Sequence, residues 1–168
     1  EEGLGRVKTV AVLGAGAWGT ALAGVFARKG HATRLYGRDA SVCAEINVAH
    51  TNSRYLGDIA LPAQIRATAS LEEVLQGAGF VFLVVPTQQI QDLAVRIAPL
   101  LCADAVLINC AKGIHRETGL LPSRLLAGLF PDHACGALSG PSFAVDVAAG
   151  KPTAVTLAMP RGIVGTFR

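Results

Sequence analysis

The chain has 168 residues, of which 51% are hydrophobic and 16% charged, and its net charge is +3. That length suits one domain burying roughly 70% of its unfolded surface, and so few charges exclude intrinsic disorder. The basic residues lie scattered, without the stripe of a nucleic-acid binder, and no apolar run reaches the ~20 residues that cross a bilayer. Residues 1–6 read as a polar leader. An apolar strand is predicted over Val7–Leu13, and it ends at Gly14-Ala-Gly-Ala-Trp-Gly-Thr-Ala. This is G-x-G-x-x-G between a strand and a helix predicted over Ala17–Lys29, the context that gives the motif meaning. Gly14 allows a sharp turn, Gly16 lets a pyrophosphate approach the backbone, and Gly19 lets the helix pack on the strand. The free N–H groups at the helix start then face the phosphates. An ordinary ligand-free strand–helix turn is the alternative.

Further strands are predicted over Thr33–Tyr36, Ile65–Thr68, Phe80–Val85, Ala105–Asn109, Cys135–Leu138 and Thr153–Leu157. Helices are predicted over Ala40–His50, Leu71–Gln76, Ile90–Leu101 and Leu120–Leu129. Ser70 before Leu71-Glu72-Glu73 is an N-cap with acids in the first turn. Such alternation implies an α/β fold: a doubly wound, mostly parallel sheet of Rossmann type with helices on both faces. The last two strands are expected to form a mixed edge. Residues 7–158 make up this dinucleotide-binding domain, and 159–168 form an unassigned tail weakened as a helix by Gly162 and Gly165. The glycine turn interrupts the first apolar segment, so no signal peptide is read there. Cys43, Cys102, Cys110 and Cys135 have neither C-x-x-C nor metal-ligand spacing. They read as buried free thiols in a reducing, cytoplasmic setting. His31, His50, His115 and His133 read as surface residues.

Ligands in such sheets bind outside the carboxyl ends of the strands. After the second strand stands Gly37-Arg38-Asp39, with Gly37 where an NAD enzyme usually carries an acid. An Arg38 guanidinium can pair with a 2′-phosphate, which favours NADP(H). Asp39 leaves NAD(H) open, and Arg38 as a plain solvated residue is the alternative. Pro86 and Thr87 follow the fourth strand, where cofactor ribose and nicotinamide would lie. Lys112 follows the fifth and can hold a carbonyl oxygen or phosphate by charge-assisted hydrogen bonds. The loop Ser139-Gly140-Pro141-Ser142 can hold an anionic substrate through N–H groups and hydroxyls, or be a plain turn.

The chain resembles the bacterial-type NAD(P)-dependent sn-glycerol-3-phosphate dehydrogenases. The matching pieces are Gly14-Ala-Gly-Ala-Trp-Gly-Thr-Ala-Leu-Ala, Asn52-Ser-Arg-Tyr-Leu, Val85-Pro-Thr-Gln, Ala111-Lys-Gly-Ile and Leu138-Ser-Gly-Pro-Ser-Phe-Ala, in the family's order. The resemblance implies cofactor contacts from Ala17, Trp18, Arg38 and Ala144, beside Gly14, Gly16, Gly19 and Pro86 read from the residues. It implies that Lys112 touches cofactor and substrate, and that Gly140 and Ser142 touch substrate. No metal site is expected. The implied reaction interconverts dihydroxyacetone phosphate and sn-glycerol 3-phosphate by hydride transfer, for glycerophospholipid synthesis. The implied partner is a small phosphorylated substrate, with no nucleic acid and no membrane insertion. Homodimerisation of the full-length protein stays open.

The family's proton-transfer lysine and its Arg-Asn pair for the substrate phosphate belong to an all-helical second domain absent from this sequence. The chain therefore reads as a fragment with little turnover of its own. Two other readings remain: the cofactor domain of a related hydroxy-acid dehydrogenase, and a stand-alone nucleotide-binding regulatory module.

Overall fold

The computed structural model describes residues 9–160. The predicted leader and residues 161–168 of the tail lie outside the described residues. The first unit is β1 (Thr9–Leu13), α1 (Ala17–Arg28) and β2 (Thr33–Tyr36). There follow α2 (Ala40–Ala49), α3 (Ser53–Leu56), β3 (Arg66–Thr68), α4 (Leu71–Leu75) and β4 (Ala78–Leu83). The rest is α5 (Ile90–Ile97), β5 (Val106–Asn109), α6 (Pro122–Leu129), β6 (Cys135–Ser139), α7 (Ala144–Ala148) and β7 (Thr156–Ala158). The sheet order is β3-β2-β1-β4-β5-β6-β7. All pairs are parallel except β6 with β7, which are antiparallel. This is the Rossmann strand order with the expected mixed edge.

Side chains along β1 alternate between two cores, as a strand's period of two requires. Val10 and Val12 join Ala21, Leu22, Leu35 and Ile46 on one face of the sheet. Ala11 and Leu13 join Val74, Leu83, Ile90 and Leu107 on the other. Burying each large aliphatic side chain contributes about 1.5–3 kcal/mol. Helices on both faces therefore hold β1 centrally, and the turn after it inherits that rigidity.

Several boundaries differ from the predicted ones, each for a local reason. The predicted helix over Ile90–Leu101 gives way to a 3-10 turn at Ala98–Leu100, where Pro99 cannot supply a backbone donor. The predicted start at Leu120 moves to Pro122, which takes the first helical turn. β4 runs two residues earlier than predicted, which leaves Val84 and Val85 in the turn beyond it. The last strand shifts from Thr153–Leu157 to Thr156–Ala158, its register set by Leu138 opposite Leu157. Two short helices, α3 and α7, were not foreseen, since each is too short to display an apolar period. At the sheet edge, the Asn47 amide donates to Ala67 O at 2.8 Å and accepts from Ala67 N at 2.9 Å. It thereby pairs part of β3 as another strand would.

Candidate functional site

The turn after β1 is built on close backbone approach. Gly14 has φ +128°, and a Cβ there would collide with the Val84 carbonyl. A Cβ on Gly19 would overlap the Gly14 carbonyl oxygen. Gly16, in contrast, has nothing within 4 Å of where its Cβ would stand. It is the N-cap of α1, whose first turn holds no acid. The first N–H groups of α1 have no intrahelical acceptor, and the N-cap residue has no side chain to offer one. The arrangement is an open seat for an anion, with the helix dipole favouring negative charge.

A cleft of about 1080 Å³ opens at this turn, between the carboxyl ends of β1 and β4. That is the point where strand order reverses, the expected ligand position in an open α/β sheet. Gly14, Gly16, Arg38, Asp39, Arg54, Tyr55 and Pro86 are among its lining residues. A second cleft of about 380 Å³ lies on the other side of Val84 and Val85, which line both. Its walls include Ala17, Trp18, Cys110, Lys112, Gly140, Ser142 and Ala144. The residues read as cofactor or substrate contacts line one or the other of the two clefts, except Gly19, which lies buried beneath the turn; Thr87 lines neither.

The larger cleft has a tethered wall. Asp39 caps α2, its Oδ1 accepting from Ser41 N at 2.9 Å and Ser41 Oγ at 2.6 Å. Its Oδ2 meets Arg54 Nη1 at 3.3 Å. These bonds, the Ser41 pair foremost, hold the Asp39 carboxyl below its usual range. The carboxylate is therefore engaged on both oxygens. Gly37 has no room for the acid of an NAD-type site, because a Cβ there would lie 2.9 Å from Ala15 Cβ and 3.1 Å from Cys43 Sγ. Glu45 accepts from Ser53 N at 2.7 Å, Thr51 Oγ1 at 2.8 Å and Ser53 Oγ at 3.1 Å. These bonds lower its carboxyl as well, the Ser53 N–H contributing most. They anchor the start of α3, which carries Arg54 and Tyr55.

Asn52 connects this wall to the glycine turn. It is fully buried, and its Nδ2 donates to Ala15 O at 3.1 Å and Thr20 Oγ1 at 2.9 Å. Its Oδ1 is buried without a partner among the described residues. Asn52, Arg54 and Tyr55 belong to a segment that carries the family resemblance, but their types and spacing assign them no role. A buried asparagine and an exposed arginine look alike in sequence; the Asn52-Ser-Arg-Tyr match was the available signal.

The smaller cleft is looser. The backbone of Lys112 is held by Thr87, whose Oγ1 donates to Lys112 O at 2.7 Å. Thr87 is buried, so its hydroxyl serves this turn instead of facing a ligand, and Pro86 lines the larger cleft, away from Lys112. Among the described residues the Lys112 ammonium reaches only Gly140 O, at 3.4 Å, and it is exposed. Ser142 Oγ donates to Ala154 O at 3.2 Å. Burial pushes the Cys110 thiol up to about 12, so it stays protonated near neutrality and acts as wall, not nucleophile. All four cysteines are free, with Cys43 and Cys110 buried. His115 corrects its surface reading: it is 3% exposed, and its ring Nδ1 lies 3.0 Å from Thr118 Oγ1. His50 and His133 are half-buried, the latter against Ala105 O. Among the described residues no helix is long and apolar enough to cross a membrane, and no cluster of His, Cys, Asp or Glu could hold a metal ion.

Fold, glycine turn and twin clefts together define a Rossmann-type domain. A family model described as the N-terminus of NAD-dependent glycerol-3-phosphate dehydrogenase matches residues 9–162. The chain belongs to that family. It is 48% identical over 149 residues to a protein of Brucella canis named glycerol-3-phosphate dehydrogenase [NAD(P)+], covering 89% of this chain and 46% of that one. Among solved structures, glycerol-3-phosphate dehydrogenase from Coxiella burnetii superposes with a TM-score of 0.86 at 33% identity, covering 96% of this chain and 50% of that one. The enzyme from Saccharomyces cerevisiae gives 0.83 at 25% identity, covering 94% and 49%. The chain spans about half the length of the curated relatives it matches.

Proposed function

We propose that this chain is the cofactor-binding half of a cytoplasmic NAD(P)-dependent oxidoreductase. The reaction is the interconversion of dihydroxyacetone phosphate and sn-glycerol 3-phosphate, in service of glycerophospholipid synthesis. The observation that carries this reading is the pair of clefts meeting at Val84 and Val85. One offers an uncapped helix start and Arg38; the other offers an ammonium and a small-residue loop. The open space at Gly16 fits a pyrophosphate, and the turn's rigidity means little reorganisation on binding.

In this reading α1 receives the pyrophosphate and Arg38 the adenosine 2′-phosphate. The steric closure at Gly37 and the engaged Asp39 carboxylate support NADP(H) over NAD(H). Ala17, Trp18 and Ala144 wall the nicotinamide half. When bound, the nicotinamide cofactor supplies the hydride. Lys112 stands where both ligands meet, and its ammonium stabilises the negative charge of the substrate by charge-assisted contacts. Gly140 and Ser142 frame the same space. The proton falls to a lysine of the family's second domain, which also encloses the substrate.

The test is NADPH oxidation by the full-length protein carrying this domain, with dihydroxyacetone phosphate set against a panel of 2-keto acids. Selective turnover of dihydroxyacetone phosphate supports the reading. Turnover confined to the keto acids overturns the substrate assignment.

A further inference from the structure

The larger cleft has a second cation whose position is set by the fold. Arg38 lies on the turn after β2. Arg54 comes from α3 on the facing wall, yet its Nη1 lies 3.3 Å from Asp39 Oδ2, beside Arg38 in the chain. The guanidinium carbon also lies 5.5 Å from the centroid of the Tyr55 ring. Both arginines line the cleft. The side chain of Arg54 remains 63% exposed despite these contacts, so it is steered but still open to a ligand. Its helix is anchored by Glu45 through Ser53 N.

We infer that Arg54 is a second determinant of specificity for a nucleoside 2′-phosphate, with Asp39 as its resident counter-ion. The inference rests on the cofactor reading above. A 2′-phosphate carries more charge than the Asp39 carboxylate and presents several acceptor oxygens to a planar guanidinium fork. It can draw Arg54 from Asp39 without loss of the α2 cap, because Ser41 holds the other carboxylate oxygen. A ribose 2′-hydroxyl has no such advantage, and Arg54 then stays on Asp39. The ion pair is exposed and weak on general grounds, so exchanging it is inexpensive. The remaining cation of the cleft, Arg96, has its Nη2 committed to Tyr36 Oη at 3.3 Å.

The experiment is calorimetric titration of this chain with 2′,5′-ADP and with 5′-AMP, probes that share the adenosine 5′-monophosphate and differ only in the 2′-phosphate. Wild type is expected to prefer 2′,5′-ADP. Arg54→Ala should weaken 2′,5′-ADP about tenfold or more and leave 5′-AMP within about twofold. Arg54→Lys, which keeps charge but not the fork, should fall between. Asp39→Asn keeps a good N-cap and should tighten 2′,5′-ADP by about two- to fivefold. Circular dichroism checks that each variant is folded. Equal losses for both probes in Arg54→Ala overturn the inference while the cofactor site stands. So does a loss of preference in Arg96→Ala with none in Arg54→Ala. Failure of wild type to bind either probe overturns the cofactor site as well.

Discussion

The two clefts sit on either side of the same residues, Val84 and Val85, yet they are built differently. Around the larger one, polar side chains are cross-linked: Asn52 to the glycine turn, Glu45 to the start of α3, Asp39 to α2 and Arg54. Around the smaller one, the Lys112 ammonium has one long contact among the described residues, and Phe143 is 76% exposed. Val145, Val155 and Leu157 on the same edge are exposed too. A preorganised wall binds with little entropic loss, whereas a loose one must be ordered by what it meets. On the proposed cofactor reading, the adenosine side is the preorganised one, and the nicotinamide and substrate side is the looser one.

The largest effects should come from the shared turn. Gly16→Val is expected to weaken NADPH about a hundredfold or more, by filling the space a pyrophosphate needs, on the scale of losing a strong charge-assisted contact. Its fold should survive, since that space is open. Gly19→Val should do the reverse, destabilising the fold by about 1–3 kcal/mol or more through overpacking against Gly14. Fluorescence titration and thermal melts of both variants separate the effects. Equal melting losses in the two would break the distinction between seat and scaffold.

Asn52→Ala sharpens the comparison from the tethered side. It leaves Ala15 O without its amide donor and opens a small cavity, which should cost about 1–3 kcal/mol in chemical denaturation. NADPH affinity should fall with it, because the glycine turn loses its brace. Unchanged stability would mean the tether carries no weight.

Lys112→Ala probes the loose side. In the full-length enzyme it should lower kcat/KM for dihydroxyacetone phosphate by about ten- to a hundredfold. The stability of the isolated chain should stay within error, since the exposed ammonium buries little. Near-wild-type kcat/KM would make it an ordinary surface lysine.

Acid should act in the opposite place. The carboxyls of Asp39 and Glu45 are lower in the folded chain than when unfolded. Their stabilising effect is therefore full above the unfolded values and lost as pH falls below about 4.5. The α2 cap and the anchoring of α3 should loosen first. Protection factors across residues 39–56, corrected for the intrinsic pH dependence of amide exchange, should fall with acid, and Glu45→Gln should flatten that fall. This is the smallest effect, because Asp39 is exposed and Glu45 is only partly buried.

The contrast also explains what could be read from sequence. The glycine turn was legible because steric demand admits one residue type there, and the parallel sheet because β1 and β4 are apolar on both faces. Lys112, Gly140 and Ser142 were placed by motif at strand ends, and they do share one cleft. The tethers were not legible. Asn52 reaches Thr20 across 32 residues and Glu45 reaches Ser53 across 8, and no local pattern encodes such partners. His115 differs from its surface reading because it sits in a tight turn, hydrogen-bonded to Thr118 and Leu120, where no apolar period marks burial.

The most direct test of the preorganised adenosine side is a pair of calorimetric titrations of this chain, with 5′-ADP and with reduced nicotinamide mononucleotide. Saturable binding of 5′-ADP, lost in Gly16→Val, and no saturation by the nicotinamide fragment are expected. Nicotinamide mononucleotide binding as tightly as 5′-ADP would contradict that expectation.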